Sequence, residues 1–457
     1  MRVLLLNPPG ANVYIRDYFC SKTTKSNYLF EPIDLVMLSG TIAVAHEVGV
    51  LDCMAERLSI EQARARIDAF APEVLVSLVG SVSWNEDRPF LADQAARGRR
   101  VLAIGDVLHE KADVRLAEEP WLEAVLGNFV NADVLAYLAG RYERIWDMTY
   151  RRDGRIVRAT HGKLRTDYRV PRPLHELFPQ RGYRFSFARN ERFATVLTDW
   201  GCPFPCEFCV MSTLGFATRA VAEVMEEIDH LRVRGVRELF VMDQTFGARK
   251  ERARELCAAF EARGDLSWTT YTRADIADDE LFAAMRRAGC HTVMMGVESA
   301  DEALLKRYRK VYDVSAIRAG FARAKKHGLR TVGTFVIGLP EETEQSLRAT
   351  LELALDLELD FMSVNMAVPR FGTRFRRRAI ELGLVDERDL VMDQGGAEAK
   401  LPTHTLDRAQ MRALKKRMVR NFYLRPSWLW RRLRNTRDFA ELRRSAREGM
   451  ALLMRNV

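Results

Sequence analysis

Three of the chain's seven cysteines, Cys202, Cys206 and Cys209, crowd into the segment Asp199-Trp200-Gly201-Cys202-Pro203-Phe204-Pro205-Cys206-Glu207-Phe208-Cys209. Thiolates at C-x3-C-x2-C spacing can each bind a separate iron of a cubane, wrapping one chain segment around three of its corners. The fourth iron then lacks a protein ligand and stays open, as the metal of a catalytic site does. A structural zinc would want four ligands, and His175 and His230 lie more than twenty residues from the cysteines. A plain electron-transfer cluster would likewise want four thiolates. The other cysteines, Cys20, Cys53, Cys257 and Cys290, stand singly in periodic segments and read as small buried hydrophobes. An odd count with one tight cluster points to metal before disulfide.

The elements around this segment decide how it is presented. Strand-like runs at 194–198, 239–242, 267–271, 292–296, 331–337 and 362–367 alternate with helical patterns at 220–234, 250–263, 279–288, 314–327 and 344–357. Gly235, Gly264, Gly289 and Gly328 close helices ahead of strands, as C-cap glycines do. Six such units curl into a partial (β/α)6 barrel with its chemistry at the carboxyl rim of the strands, and the cysteine segment directly follows the first of them. The first 140 residues alternate too, with strand-like runs at 3–6, 48–51, 74–78 and 101–104 and helical patterns such as 59–69 and 87–96. That order predicts a doubly wound parallel sheet, whose ligands bind at the carboxyl ends of the strands. The expected architecture is therefore α/β, with a doubly wound domain over 1–140 and a partial barrel over 191–380. Residues 141–190, Arg-rich and aromatic with an Asp153-Gly154 turn, read as a linker that includes a hairpin. Residues 381–457 read as a helical, basic C-terminal region.

At 457 residues, 47% hydrophobic and 29% charged, the chain has the composition of a soluble globular protein of two or three domains. No apolar run reaches the roughly 18 residues of a membrane span. The N-terminus is apolar for only a few residues before Pro8 and Pro9, too short for a secretory signal, which predicts a cytoplasmic protein. The net charge of +9 is concentrated at the C-terminus, where residues 421–457 hold nine Arg against three acidic residues. No basic stripe with interleaved aromatics marks a nucleic-acid surface. The C-terminal segment, with Trp428 and Trp430 among arginines, would suit weak contact with an anionic membrane surface. Asp438, Glu441 and Glu448 interrupt its positive face, which favours packing back on the barrel; Leu442, Ala446, Met450 and Leu453 recur there at helical spacing.

The cysteine motif, C-x3-C-x-aromatic-C with Phe208 at the aromatic position, resembles the signature of the radical S-adenosylmethionine (SAM) superfamily. The resemblance implies a [4Fe-4S] cluster whose open iron chelates SAM, and an external electron donor of flavodoxin or ferredoxin type. Reductive cleavage of SAM would then yield a 5′-deoxyadenosyl radical. It further implies that Asp243, in Met242-Asp243-Gln244-Thr245-Phe246, meets the amino group of SAM, although Gln244 replaces the second acid of the related Asp-Asp-x-Phe form. Arg273 follows the third strand, Glu298 would accept the ribose hydroxyls, and Gly338 would let the backbone meet the adenine. Pro369-Arg370-Phe371-Gly372-Thr373 resembles the Pro-Gly-Thr ending of the sixth strand.

A doubly wound domain ahead of such a barrel resembles the cobalamin (B12)-binding branch of the superfamily. In that branch Asn7, Pro8, Ser81 and Gly105 would help cradle cobalamin. The Asp-x-His pattern that supplies a histidine to cobalt is absent, Asp106 stands where a second glycine is usual, and His109 is a candidate polar contact near the rim. The implied reaction is cobalamin-dependent methylation of an unactivated carbon in a small-molecule or lipid-like substrate, from a lipid, tetrapyrrole or natural-product pathway. A radical SAM cyclase or rearrangement enzyme without methyl transfer is the alternative, and a non-catalytic iron-sulfur redox protein the remote one.

Overall fold

A strand that buries five of its six residues, as β1 (Arg2–Asn7) does, must be covered on both faces, the condition of a parallel sheet. It lies inside a seven-stranded sheet together with β2 (Glu47–Asp52), β3 (Val74–Leu78), β4 (Arg100–Ile104), β5 (Ala124–Leu126), β6 (Asp147–Arg152) and β7 (Arg155–Thr160). The order is β2-β1-β3-β4-β5-β6-β7. The first five strands run parallel; β6 and β7 form an antiparallel hairpin on the β5 edge. The computed structural model describes residues 1–25, 28–160, 166–179, 181–395 and 400–434, with 443, 449 and 450.

The second sheet is built from β8 (Phe193–Val196), β9 (Glu238–Val241), β10 (Ser267–Thr272), β11 (Cys290–Glu298), β12 (Arg330–Ile337) and β13 (Phe361–Met366). All neighbours are parallel and the spatial order is the sequence order. Among the described residues β8 and β13 do not pair, so the barrel is open. Each of the six strands falls within a few residues of its expected place.

The two sheets share one apolar core. Val3, Leu5 and Val76 of the first sheet belong to the same buried cluster as Phe193, Phe240 and Val332 of the second. The helix Ile33–Ala43 joins them: ten of its 11 residues are buried, as a helix apolar on all sides requires. Gly40 sits where the chain at Pro171 and Arg172 presses on this helix; a Cβ there would come within 2.4 Å of the Arg172 carbonyl oxygen.

The segment read as a linker is structured. Residues 147–160 supply the hairpin of the first sheet, and Asp167–Tyr168 pairs with Phe216–Arg219 beside the cysteine loop. His175 is buried between Glu31 at 3.2 Å and Glu227 at 2.8 Å. Burial alone would lower its pKa, but the two carboxylates raise it to about 10. The boundaries were hidden because pairing to a distant strand leaves no periodic mark on a short segment.

The helix Arg408–Tyr423 packs back on the barrel through Met411, Met418, Val419 and Phe422. Tyr423 donates to the Met362 carbonyl at 2.7 Å, and the Trp428 indole to Asp360 at 3.0 Å. Trp430 and Leu433 remain exposed. Leu442, Ala446 and Leu453 lie outside the described residues, as do Asp438, Glu441 and Glu448. No described helix is long and apolar enough to cross a membrane.

Gly40→Ala, normally favourable inside a helix, is expected to destabilise the protein by about 1–3 kcal/mol by overpacking. A lower urea midpoint would confirm this; an unchanged one would mean that the Pro171–Arg172 backbone can retreat.

Candidate active site at the barrel mouth

The cysteine loop leaves β8 and is closed at its base by its own backbone. Asp199–Gly201 pairs antiparallel with Phe216–Arg219, and Cys202 N–H donates to the Gly215 carbonyl at 3.0 Å. Gly201 is left-handed (φ +68°), and a Cβ there would lie 2.0 Å from the Gly215 oxygen, so only glycine fits. The Trp200 indole donates to Leu214 at 3.1 Å. At the loop's far side Glu207 N–H donates to Tyr308, and Phe375 N–H to Glu207. Phe208 packs against Tyr308 with ring centres 6.4 Å apart. Two distant segments thus hold a loop that carries little regular structure of its own.

Cys206 is buried, and Cys202 and Cys209 are partly exposed. Burial raises the thiols of Cys206 and Cys209; at Cys206, Lys310 and Arg273 pull in the opposite direction. Among the described residues no three His, Cys, Asp or Glu side chains converge where one ion could sit. A cubane makes a different demand, one thiolate per iron corner. Three soft ligands on a clamped loop, with two cations nearby to offset the charge of a thiolate-bound cluster, fit a [4Fe-4S] group.

Opposite the loop, Glu298 ends β11 in the left-handed region (φ +63°), where the ladder to β12 shifts register. Its carboxylate accepts from the Lys310 ammonium at 2.6 Å, and both side chains are more than nine-tenths buried. Arg273 stacks over Phe204 of the cysteine loop at 3.6 Å and near Tyr312 at 4.7 Å, while Asp275 holds its guanidinium at 2.8 Å. Glu298, Lys310, Arg273 and the loop therefore face one another across the mouth. Lys310 and Tyr312 are absent from the sequence reading; they lie in an irregular segment with no periodicity, and only folding brings them to the cysteines.

Asp243 is placed differently. It is fully buried, and its oxygens accept from Thr198 N–H at 2.7 Å, Thr198 Oγ1 at 2.5 Å and Asp199 N–H at 2.8 Å. It braces the start of the cysteine loop, while Thr245, two residues on, lies 3.3 Å from Cys202 Sγ. Gly338 is left-handed (φ +89°), and its N–H donates to Glu342, which leaves its carbonyl as the backbone group that could meet an adenine. Burial pushes the Glu342 carboxyl up to about 8.

Asn7, Pro8, Ser81 and Gly105 do lie together at the carboxyl edge of the first sheet, but a strap over residues 14–25 fills that edge. Arg16 is fully buried and bonds Asp87 at 2.7 Å, Ser83 at 2.8 Å, Asn7 at 2.9 Å and the Pro8 carbonyl at 3.0 Å. Ser21 and Ser81 both donate to Asp106. Gly105 is needed for contact with protein: a Cβ would stand 1.8 Å from the Val79 oxygen. As arranged, these residues do not fit the buried nucleotide tail of cobalamin. His109 is part of the same closure, 4.8 Å from the Phe19 ring and 3.3 Å from Thr213 Oγ1, and burial lowers it to about 4.

Residues 200–354 match the model of the family described as the radical SAM superfamily. The chain is 29% identical over 447 residues to an uncharacterized methyltransferase of Pyrococcus horikoshii, with 94% of each chain covered. It is 25% identical to the anaerobic magnesium-protoporphyrin IX monomethyl ester cyclase of Synechocystis, over 84% of this chain and 79% of that one. Among solved structures, the cobalamin-dependent SAM radical enzyme OxsB with aqua-cobalamin bound matches with a TM-score of 0.70 at 12% identity, covering 98% of this chain and 72% of its own. The radical SAM methyltransferase TsrM from Kitasatospora setae, with cobalamin and a [4Fe-4S] cluster bound, gives 0.63 at 17% identity over 83% and 75%. At those identities the likeness establishes the fold across both domains.

Cys202→Ala, Cys206→Ala and Cys209→Ala are each expected to give folded protein that falls short of full iron content after anaerobic reconstitution. Iron and sulfide analysis reads this directly; full retention in all three variants would remove the cluster from this loop.

Proposed function

We propose that this chain, whose residues 200–354 match the radical SAM superfamily, cleaves SAM reductively and methylates a carbon atom of a small molecule. SAM at the reduced cluster supplies a 5′-deoxyadenosyl radical able to abstract hydrogen. The observation that carries the reading is the convergence of the cysteine loop with the Glu298–Lys310 pair, contributed by opposite sides of one barrel mouth. In the proposed arrangement Cys202, Cys206 and Cys209 hold three irons. Glu298 accepts the ribose hydroxyls, and Lys310, freed of part of that pairing, faces the SAM carboxylate. Arg273 braces Phe204 and so the loop, Asp243 fixes the loop's first turn, and Gly338 leaves its backbone open to the adenine. Buried surroundings strengthen each of these contacts by keeping water out. An external one-electron donor of flavodoxin or ferredoxin type completes the cycle.

Methyl transfer is supported by the methyltransferase related along nearly the whole chain. Cobalamin is the proposed methyl carrier, because the solved structures of OxsB and TsrM contain it and share this two-domain fold. The strap closes the tail crevice in this chain, so a corrinoid would enter only with residues 14–25 displaced. The similarity to the anaerobic cyclase favours a second reading, ring formation without methyl transfer.

One measurement tests the SAM contact that both readings share, and a second separates them. Glu298→Gln keeps the side chain's shape and is expected to weaken SAM binding by about 1.5–3 kcal/mol, the worth of a hydrogen bond to a charged group. Unchanged affinity would refute the ribose role alone. Protein reconstituted anaerobically with hydroxocobalamin and given SAM labelled in its methyl group is expected to retain stoichiometric corrinoid and pass the label to product. Corrinoid-free protein that makes unlabelled product would establish the cyclase reading instead.

A further inference from the structure

The strap that closes the first sheet also crosses the barrel mouth. Tyr14–Ile15 pairs with Lys22–Thr23, and the turn between them closes with Cys20 N–H donating to Asp17 at 2.9 Å. Its Tyr18 and Phe19 are both left-handed (φ +47° and +54°), a geometry normally left to glycine and asparagine. At one end Tyr18 Oη accepts from Gly201 N–H at 2.5 Å, at the base of the cysteine loop. At the other, Lys25 donates to the Val364 carbonyl on β13 at 2.7 Å. The strap is thus moored to the base of the cysteine loop and to the last strand of the barrel.

Between these moorings lies a charged pair without its bond. Asp17 is 4% exposed, and neither of its carboxylate oxygens has a hydrogen-bond partner. Lys22 Nζ stops 3.9 Å away and lies 6.0 Å from the Phe30 ring, where a charge-assisted bond would close to about 2.8 Å. Tyr28 and Tyr271 lie near both groups, and Cys20 lies near Lys22 and near Cys209. Two opposite charges held apart in a low-dielectric site cost free energy unless a ligand satisfies them.

We propose that Asp17 and Lys22 form a bipolar clamp for a zwitterionic α-amino acid, the substrate class of the enzyme. The ammonium of the ligand binds the two open oxygens of Asp17, and its carboxylate binds Lys22. An ammonium and a carboxylate on one carbon have about the spacing of this pair. Tyr28, Phe30 and Tyr271 supply aromatic walls for the side chain, which makes an aromatic amino acid the best fit. The inference rests on the radical SAM reading in taking the barrel mouth as the place of the substrate, and it requires the strap to stay closed, so a corrinoid that displaced residues 14–25 would remove the clamp.

The test is a binding measurement on the full, cluster-loaded chain. Each of the twenty proteinogenic L-amino acids is titrated calorimetrically, and the tightest is then compared with its amine analogue lacking the carboxylate and its acid analogue lacking the amine. An aromatic amino acid is expected to bind, and each analogue to bind roughly tenfold or more weakly. Asp17→Asn and Lys22→Met are expected to weaken the parent amino acid by a similar factor while iron content stays full. Absence of binding by every amino acid, or equal binding by both analogues, overturns the clamp; the analogue comparison decides even where a variant fails to fold. Hydroxocobalamin bound in place of any amino acid, and lost in both variants, would assign the pair to corrinoid amides and equally overturn it. Wild-type protein that binds the amino acid but makes no 5′-deoxyadenosine would instead count against the radical SAM reading.

Discussion

The structure depends on the apolar seam around the helix Ile33–Ala43, which belongs to both sheets at once. Burying a helix on every side removes the choice of how the two layers meet, because each face must match a different partner. One core then holds the carboxyl edge of the doubly wound sheet against the carboxyl rim of the barrel. Gly40 is the tightest point of that contact, where the helix meets main chain from Pro171 and Arg172.

With the two edges fixed, the connection between β1 and this helix has to run through the gap between them. A connection crossing such a gap must satisfy its own polar groups, and, the Asp17 carboxylate apart, the strap does so with buried side chains: Arg16 on Asp87, Ser21 on Asp106, Tyr18 on Gly201. The edge that a doubly wound fold offers to a ligand is consequently occupied by protein. The same strap brings Asp17 and Lys22 over the mouth of the barrel, so the first domain shapes the site whether or not it holds a cofactor.

Inside the mouth, low dielectric makes charge placement decisive. Lys310 would lose its proton readily if buried alone, but Glu298 beside it keeps it charged. Arg273 is held by Asp275 and two aromatic faces. These cations counter the burial of Cys206, which by itself opposes thiolate formation. The site is thus electrostatically prepared for an anionic metal cluster by residues from three separate connections of the barrel.

Local sequence determined much of this protein. The C-x3-C-x2-C spacing specifies three ligands on one loop, because consecutive residues fix their own separation. Four strands of the first sheet, the six strands of the barrel and the barrel's order followed from alternating apolar runs and helix-ending glycines, which are short-range signals. Tertiary structure alone decided the rest. Asp243 reads as a ligand contact in sequence and in the fold braces Thr198 and Asp199; residues 147–160 read as a hairpin within a linker, and in the fold that hairpin completes the first sheet. Lys310 meets Glu298, and the strap fills the edge where Asn7, Ser81 and Gly105 stand, through contacts between segments remote in the chain. Such contacts arise when distant surfaces are buried together, and no pattern within a single segment encodes which atoms will meet.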